Sequence, residues 1–209
     1  MGSEHFDEKA ADWDSDPDKV ARAQEVARAV AANVPLGTQT RLLEYGAGTG
    51  LVTQALLDRV GQVTLADNSP GMRAVMQQKI NAGQLPADTR VWDLDLEHQA
   101  APPGRFDVIV SSLVLHHVLT LAPVLEGLTS MLEPGGTLCI ADLDAEDGSF
   151  HGHRHDFHGH DGFDRDELAR SLESAGLTDV VVSDCTTILR EGTPYSVFLA
   201  TARKPRATT

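Results

Sequence analysis

The chain has 209 residues, with 31 acidic side chains against 17 basic ones and a formal charge of −14. A length of this order suits one domain that buries about 70% of its unfolded surface, so neither a metal nor a disulfide is needed to hold a core. The charge disfavours nucleic acid as a partner, because that binding needs a basic face to release counterions.

No run reaches the ~18 to 20 apolar residues of a membrane span, and Met1-Gly2-Ser3-Glu4 lacks the basic and apolar regions of a signal peptide. The myristoylation pattern also fails, since Phe6 stands at its Ser/Thr position. The expectation is a cytoplasmic monomer or homodimer acting on a small molecule, with no membrane or nucleic-acid partner. Cys139 and Cys185 lie in or beside apolar strand-like runs and read as buried free thiols.

In chain order, Asp16-Pro17 opens a helix with an N-cap and a first-turn proline, followed by Val20, Ala23, Ala27, Val30 and Val34 at helical spacing. Strands are predicted at about 41–45, 62–67, 89–92, 106–110, 136–142, 178–184 and 195–202, with helices between them. That alternation implies an α/β protein with a parallel sheet covered on both faces. Leu132-Glu133-Pro134-Gly135-Gly136 reads as a turn into the fifth strand, and Glu191-Gly192-Thr193-Pro194 as the turn of a hairpin.

Between the first strand and an amphipathic helix that starts with Leu51, Val52, Ala55 and Leu56 stands Glu44-Tyr45-Gly46-Ala47-Gly48-Thr49-Gly50. Glycines at a strand-to-helix junction let backbone approach a ligand closely. A dinucleotide fingerprint runs G-x-G-x-x-G and meets a pyrophosphate. Here Gly50 comes one residue early, Leu51 occupies the last glycine position, and Glu44 would repel a phosphate.

The pattern E-x-G-x-G-x-G resembles the first motif of the class I S-adenosylmethionine-dependent methyltransferases, whose ligand carries a cationic sulfonium and an ammonium. The likeness covers nearly the whole chain and is nearest to the ubiquinone/menaquinone methyltransferase-like branch. It implies a Rossmann-like doubly wound sheet of seven strands in the order 3-2-1-4-5-7-6, the seventh antiparallel. Residues 1–36 would form a helical cover, 37–203 the methyltransferase domain and 204–209 a tail. Cys139 and Cys185 would then lie about 9–10 Å apart, too far for a disulfide.

The remaining cofactor positions follow. Asp67 ends the second strand at the interval that sets a carboxylate beside a ribose, which NAD and adenosylmethionine share. Asp67-Asn68-Ser69-Pro70-Gly71-Met72 resembles the family's D-x-S-x-x-M, in which Asn68 lines the ribose and Met72 packs on the adenine. The resemblance assigns Asp93 to the adenine amine and Leu94 to a backbone donor, with Asp95 and Glu97 as nearby rivals. Ser111 and Ser112, at the carboxyl end of the fourth strand, border the methionine part. The implied cofactor-binding set is therefore Glu44, Tyr45, Gly46, Ala47, Gly48, Gly50, Asp67, Asn68, Met72, Asp93, Leu94, Ser111 and Ser112.

For the acceptor, the fourth strand leads into Ser111-Ser112-Leu113-Val114, where amide and exocyclic-amine methyltransferases carry N/D-P-P-Y/F. A small carbon, oxygen or nitrogen acceptor remains, methylated by in-line displacement. Leu115-His116-His117-Val118 follows, and His117 is the candidate nearest the donor. His151, His153, His155, His158 and His160 crowd the segment after the fifth strand, and His151 and His160 match the resembled branch. The segment reads as a histidine base against an O–H or activated C–H, as a divalent metal site for a catechol-like substrate, or as a polar lid. His153 and His155 stand outside the resemblance, which weakens the metal reading, and no metal ligand is expected. The candidate catalytic residues are His117, His151 and His160.

Phe6 and Trp13 resemble the N-terminal cover of small-molecule methyltransferases and are expected to close over cofactor and substrate. An NAD(P)-dependent oxidoreductase and a non-catalytic adenosylmethionine-binding module stand as alternatives.

Overall fold

The computed structural model describes residues 4–152 and 157–206. Seven strands form one sheet: β1 (Leu42–Tyr45), β2 (Val63–Asp67), β3 (Arg90–Asp93), β4 (Phe106–Ser112), β5 (Leu132–Leu143), β6 (Thr178–Arg190) and β7 (Thr193–Arg203). Their order is β3-β2-β1-β4-β5-β7-β6, with β7 antiparallel to both of its neighbours, as the sequence led us to expect. Order reverses between β1 and β4, and ligands of open α/β sheets bind outside the carboxyl ends of strands at that point.

Both faces of the sheet are covered, and the strands alternate between two cores. After the short helix α1 (Glu4–Asp7) comes α2 (Pro17–Asn33), and in β4, Val108 and Val110 pack with its Val26 and Val30 and with Met76 of α4 (Pro70–Asn81). Ile109 points the other way, toward Leu125 and Leu128 of α5 (Leu121–Met131) and Leu168 and Leu172 of α6 (Arg165–Ser174). That period of two is the pleat itself. Asp16 caps α2 as expected, its side chain accepting from the N–H groups of Asp18 and Lys19, with Pro17 in the first turn.

Two local features depart from the sequence reading. The helix after the glycine turn, α3, covers only Leu51–Gln54 and gives way to a 3₁₀ turn at Leu57–Arg59, because the chain must reverse at Gly61 to enter β2. A Cβ at Gly61 would meet the Thr38 carbonyl oxygen at 2.3 Å, which fixes that reversal tightly. The turn expected at 132–136 is instead a bulge inside β5: Leu132 pairs with Phe106, and the ladder resumes at Thr137 opposite Val108. The β6–β7 hairpin is as tight as expected, with Glu191 and Gly192 both at positive φ. Cys139 and Cys185 are free thiols on strands separated by β7.

Candidate functional site

The three glycines of the turn after β1 all adopt left-handed backbone, with φ of 66° at Gly46, 56° at Gly48 and 82° at Gly50. Gly46 is demanded twice over, because a Cβ there would also lie 2.3 Å from Val114 Cγ2. At Gly48 the nearest atom to such a Cβ is Trp13 Nε1 at 4.0 Å, so this residue offers open backbone to a ligand. The turn opens onto a cavity of about 780 Å³, within the range of small-molecule sites.

Most of the expected residues meet on that wall: Glu44, Tyr45, Gly46, Ala47 and Gly48 from the turn, Asp67, Asn68 and Met72 from the end of β2 and α4, Asp93 and Leu94 after β3, and Ser112 after β4. His117, Phe6 and Trp13 line it too. Gly50, Ser111, His151 and His160 stand off it. Gly50 is the N-cap of α3, and Ser111 is buried in the sheet with its hydroxyl unpartnered among the described residues. His153 and His155 lie outside the described residues.

Asp67 is held by two backbone donors, Gly48 N–H to Oδ2 and Ser69 N–H to Oδ1, each at 2.8 Å. Burial pushes its carboxyl up, with those two N–H groups and Arg73 pulling the other way. Asp93 receives both arms of the Arg73 guanidinium at 3.0 Å, and Arg73 also donates to the Asp67 carbonyl. A carboxylate has about four lone-pair sites, so Asp93 keeps acceptor capacity toward the cavity. The Tyr45 hydroxyl accepts from the Leu96 N–H at 3.2 Å, tying the loop after β3 to β1.

Glu44 is the buried acid of the turn. Its Oε2 accepts from the Thr53 N–H at 3.0 Å, and burial pushes its carboxyl up to about 7 from an ordinary 4.5, against the pull of Thr53 and Lys79. The folded protein therefore holds this proton where the unfolded chain has released it. Stability from this group is lost as pH rises from about 4.5 to about 7, by about 3 kcal/mol, and is level above. Glu44→Gln removes the titration, so the variant should gain about 3 kcal/mol relative to wild type between pH 5 and pH 8. Denaturant unfolding at both pH values measures that difference; parallel profiles would contradict it.

The N-terminal segment is pinned across the turn by two acids. Asp7 accepts from the Ser69 hydroxyl at 2.5 Å and the Gly71 N–H at 2.8 Å, which hold its carboxyl below the usual range. Asp14 accepts from the Thr49 hydroxyl at 2.5 Å and pairs with the Lys79 ammonium at 2.5 Å. Phe6 and Trp13 are thereby set edge to face, with centroids 6.1 Å apart, and Lys19 Nζ lies 4.1 Å over the Trp13 ring.

Past Ser112, β4 runs into a 3₁₀ turn at Leu115–His117 that also lines the cavity, and β5 ends beside it. Asp142, fully buried in β5, accepts from the backbone N–H groups of Leu115 (2.9 Å), His116 (3.3 Å) and Leu143 (2.8 Å), and its Oδ1 lies 2.6 Å from His116 Nδ1. His116 and His117 both face the cavity, and the His151 ring stands behind them at 5.3 Å from each. His160 donates its backbone N–H to the His116 carbonyl at 2.7 Å, while its ring turns to Phe163.

Residues 43–140 match the family described as a methyltransferase domain. Residues 43–140, just under half of the chain, thus resemble a methyltransferase domain, on a sheet with the strand order that the class I resemblance implied. It is 40% identical over 126 residues to the biotin biosynthesis bifunctional protein BioCD of Bordetella avium, covering 59% of this chain and 26% of that protein. It is 32% identical over 141 residues to a ubiquinone biosynthesis O-methyltransferase of Xanthomonas campestris pv. campestris, covering 66% of this chain and 58% of that one. The chain thus spans about a quarter of one curated relative and somewhat over half of the other. Among solved structures, Haemonchus contortus phosphoethanolamine N-methyltransferase 2 in complex with S-adenosyl-L-methionine superposes with a TM-score of 0.71 at 17% identity, over 86% of this chain and 52% of that one.

Several residues in or behind the cavity wall carry no signal in the sequence. Arg22 of α2 is half-buried on the wall, and its guanidinium makes no hydrogen bond or salt bridge to a described residue; burial lowers its pKa against Asp16, Asp18 and Glu25. His116 was passed over for His117, and Asp142 was given no role. A position on the polar face of a helix, or beside a more prominent histidine, carries no local signal. Among the described residues no helix is long and apolar enough to cross a membrane.

Proposed function

We propose that the protein transfers the methyl group of S-adenosylmethionine to a small organic acceptor at oxygen, carbon or nitrogen. The observation that carries this reading is one cavity lined by two chemically distinct groups of residues: a glycine turn with Asp67, and a pair of histidines. In it, Asp67 and Asn68 take the ribose hydroxyls, Met72 packs on the adenine, and Asp93 with the Leu94 backbone reads the adenine edge. Glu44, Tyr45, Gly46, Ala47, Gly48 and Ser112 surround the methionine part, and Arg22 meets its carboxylate. Gly50 and Ser111 shape the turn and strand from behind.

The acceptor occupies the end lined by His116 and His117, under Phe6 and Trp13, with His151 behind and His160 fixing the backbone of His116. An acceptor lone pair attacks the methyl carbon as the carbon–sulfur bond breaks, and adenosylhomocysteine leaves. The histidine floor lowers the cost of removing the acceptor's proton, while the covering aromatics exclude water. A net charge of −14 and the sequence after β4 favour a small molecule over nucleic acid, in a cytoplasmic monomer or homodimer. An NAD(P)-dependent oxidoreductase is not favoured, since the matched family is a methyltransferase domain.

Calorimetry with adenosylmethionine, adenosylhomocysteine and NADH tests the cofactor, and methyl transfer to a panel of hydroxylated and carbonyl metabolites tests the reaction. His117→Ala is expected to cut turnover by about 100-fold or more while adenosylhomocysteine binds as before. Heat from NADH and none from adenosylhomocysteine would sink the reading.

A further inference from the structure

His116, His117 and His151 converge from two separate helical turns, and one ring nitrogen of each lies within 4.8 Å of the other two. His116 and His117 come from the turn after β4, His151 from the turn at Ser149–His151 after β5. We propose that these three imidazoles hold a divalent transition-metal ion of borderline softness, with zinc as its type, at the acceptor end of the cavity. The proposal rests on the methyltransferase reading and specifies how the histidine floor handles the acceptor.

Four features support it. The pairing of His116 Nδ1 with buried Asp142 leaves Nε2 as the ligand nitrogen, and a carboxylate behind a histidine is the usual outer support of an imidazole-bound metal. Second, the span is near that of a metal site: tetrahedral ligands about 2.0–2.1 Å from zinc lie about 3.3 Å apart, so the three nitrogens, within 4.8 Å of one another, draw in by about 1.5 Å at most.

Third, His151 is placed by its own supports. Tyr195 Oη meets Ser149 Oγ at 2.8 Å, and Glu146 accepts the Phe150 N–H at 2.9 Å. The loop also returns onto the same spot: a Cβ at Gly159 would lie 2.0 Å from the His116 carbonyl oxygen, so only glycine lets it close there. Fourth, the outer shell is aromatic. Phe157 stacks on His151 at 3.7 Å, Phe6 meets His117 at 5.3 Å, and Phe150 meets His116 at 6.1 Å. A dry shell of this kind strengthens the electrostatic pull on whatever occupies the fourth position.

Three protein ligands and one open position facing a cavity is the pattern of catalytic rather than structural zinc. The open position would take an oxygen of the acceptor, lowering the pH at which its hydroxyl gives up its proton to water in the cavity. This points to acceptors with a hydroxyl or enolisable oxygen next to the methylated atom. Imidazole donors select zinc, cobalt or nickel over magnesium.

The test uses the full chain stripped by a chelator. Zn2+, Co2+ and Mg2+ are titrated by calorimetry, with adenosylhomocysteine in parallel. The expected result is one Zn2+ per chain, a ligand-field absorption with Co2+, and no heat with Mg2+. His117→Ala and His151→Ala should each weaken Zn2+ by about 100-fold or more, and Asp142→Asn by about 10- to 100-fold, with folding followed by circular dichroism. No Zn2+ binding by the wild type would overturn the proposal. So would unchanged affinity in a folded His117→Ala/His151→Ala double variant, or in His151→Ala alone should the double variant not fold. Retained adenosylhomocysteine binding in that case would confine the failure to the metal; loss of both ligands would remove the methyltransferase reading as well.

Discussion

Replacing Asp142 by alanine is expected to cost about 4 kcal/mol of stability, the largest effect of any single substitution in the site. The carboxylate is fully buried and receives the N–H groups of Leu115, His116 and Leu143 and the ring of His116. Alanine leaves those donors with no acceptor, and each stranded buried donor costs about 1–3 kcal/mol before relaxation. For a domain of this size such a loss lowers the thermal midpoint by about 8–16 °C. Asp142→Asn keeps the shape and one acceptor oxygen but points an amide N–H at other donors, so it should cost about half as much. Thermal unfolding followed by circular dichroism measures both. A loss below about 1 kcal/mol in the alanine variant would mean that the donors find other acceptors and that Asp142 does not organise the floor.

The same residue marks where sequence reasoning runs out. The glycine turn was legible because positive φ is a local property, and Gly46, Gly48 and Gly50 all have left-handed backbone; the second demand on Gly46, its approach to Val114, was not. Strand order was legible through the alternation of elements and the family resemblance together. Asp142 was not, because its partners lie 26 and 27 residues away and are assembled only when β4 and β5 pair. His116 shares its tripeptide with His117, and which ring meets the carboxylate is set by the 3₁₀ turn and not by composition. Asp7 and Asp14 carry no local signal, yet Asp7 bridges to the start of α4 and Asp14 to the glycine turn, each across more than thirty residues of chain. Residues set by local backbone demands or by a contiguous motif were thus readable, and those that hold distant side chains in place were not.

Asp67→Asn should weaken adenosylhomocysteine by about 100- to 1,000-fold, the largest expected effect on binding. Its carboxylate spends one lone pair of each oxygen on the Gly48 and Ser69 N–H groups, and in the proposed binding mode the others take the two ribose hydroxyls. Hydrogen bonds to a charged acceptor contribute about 1.5–3 kcal/mol each, and every 1.4 kcal/mol is about tenfold in affinity. Asparagine removes the charge and turns one acceptor into a donor, so it both weakens the ribose contacts and opposes one of the N–H groups. The fold should lose only about 1–2 kcal/mol, because β2 keeps its ladder on both sides. A 2′-deoxy analogue of adenosylhomocysteine separates the ribose contact from general damage. Wild type should prefer the ribose form by about tenfold or more, and Asp67→Asn should show almost no preference. If the variant weakened both ligands equally and kept the wild-type preference, the carboxylate would be a brace for the glycine turn, and the ribose would be held elsewhere.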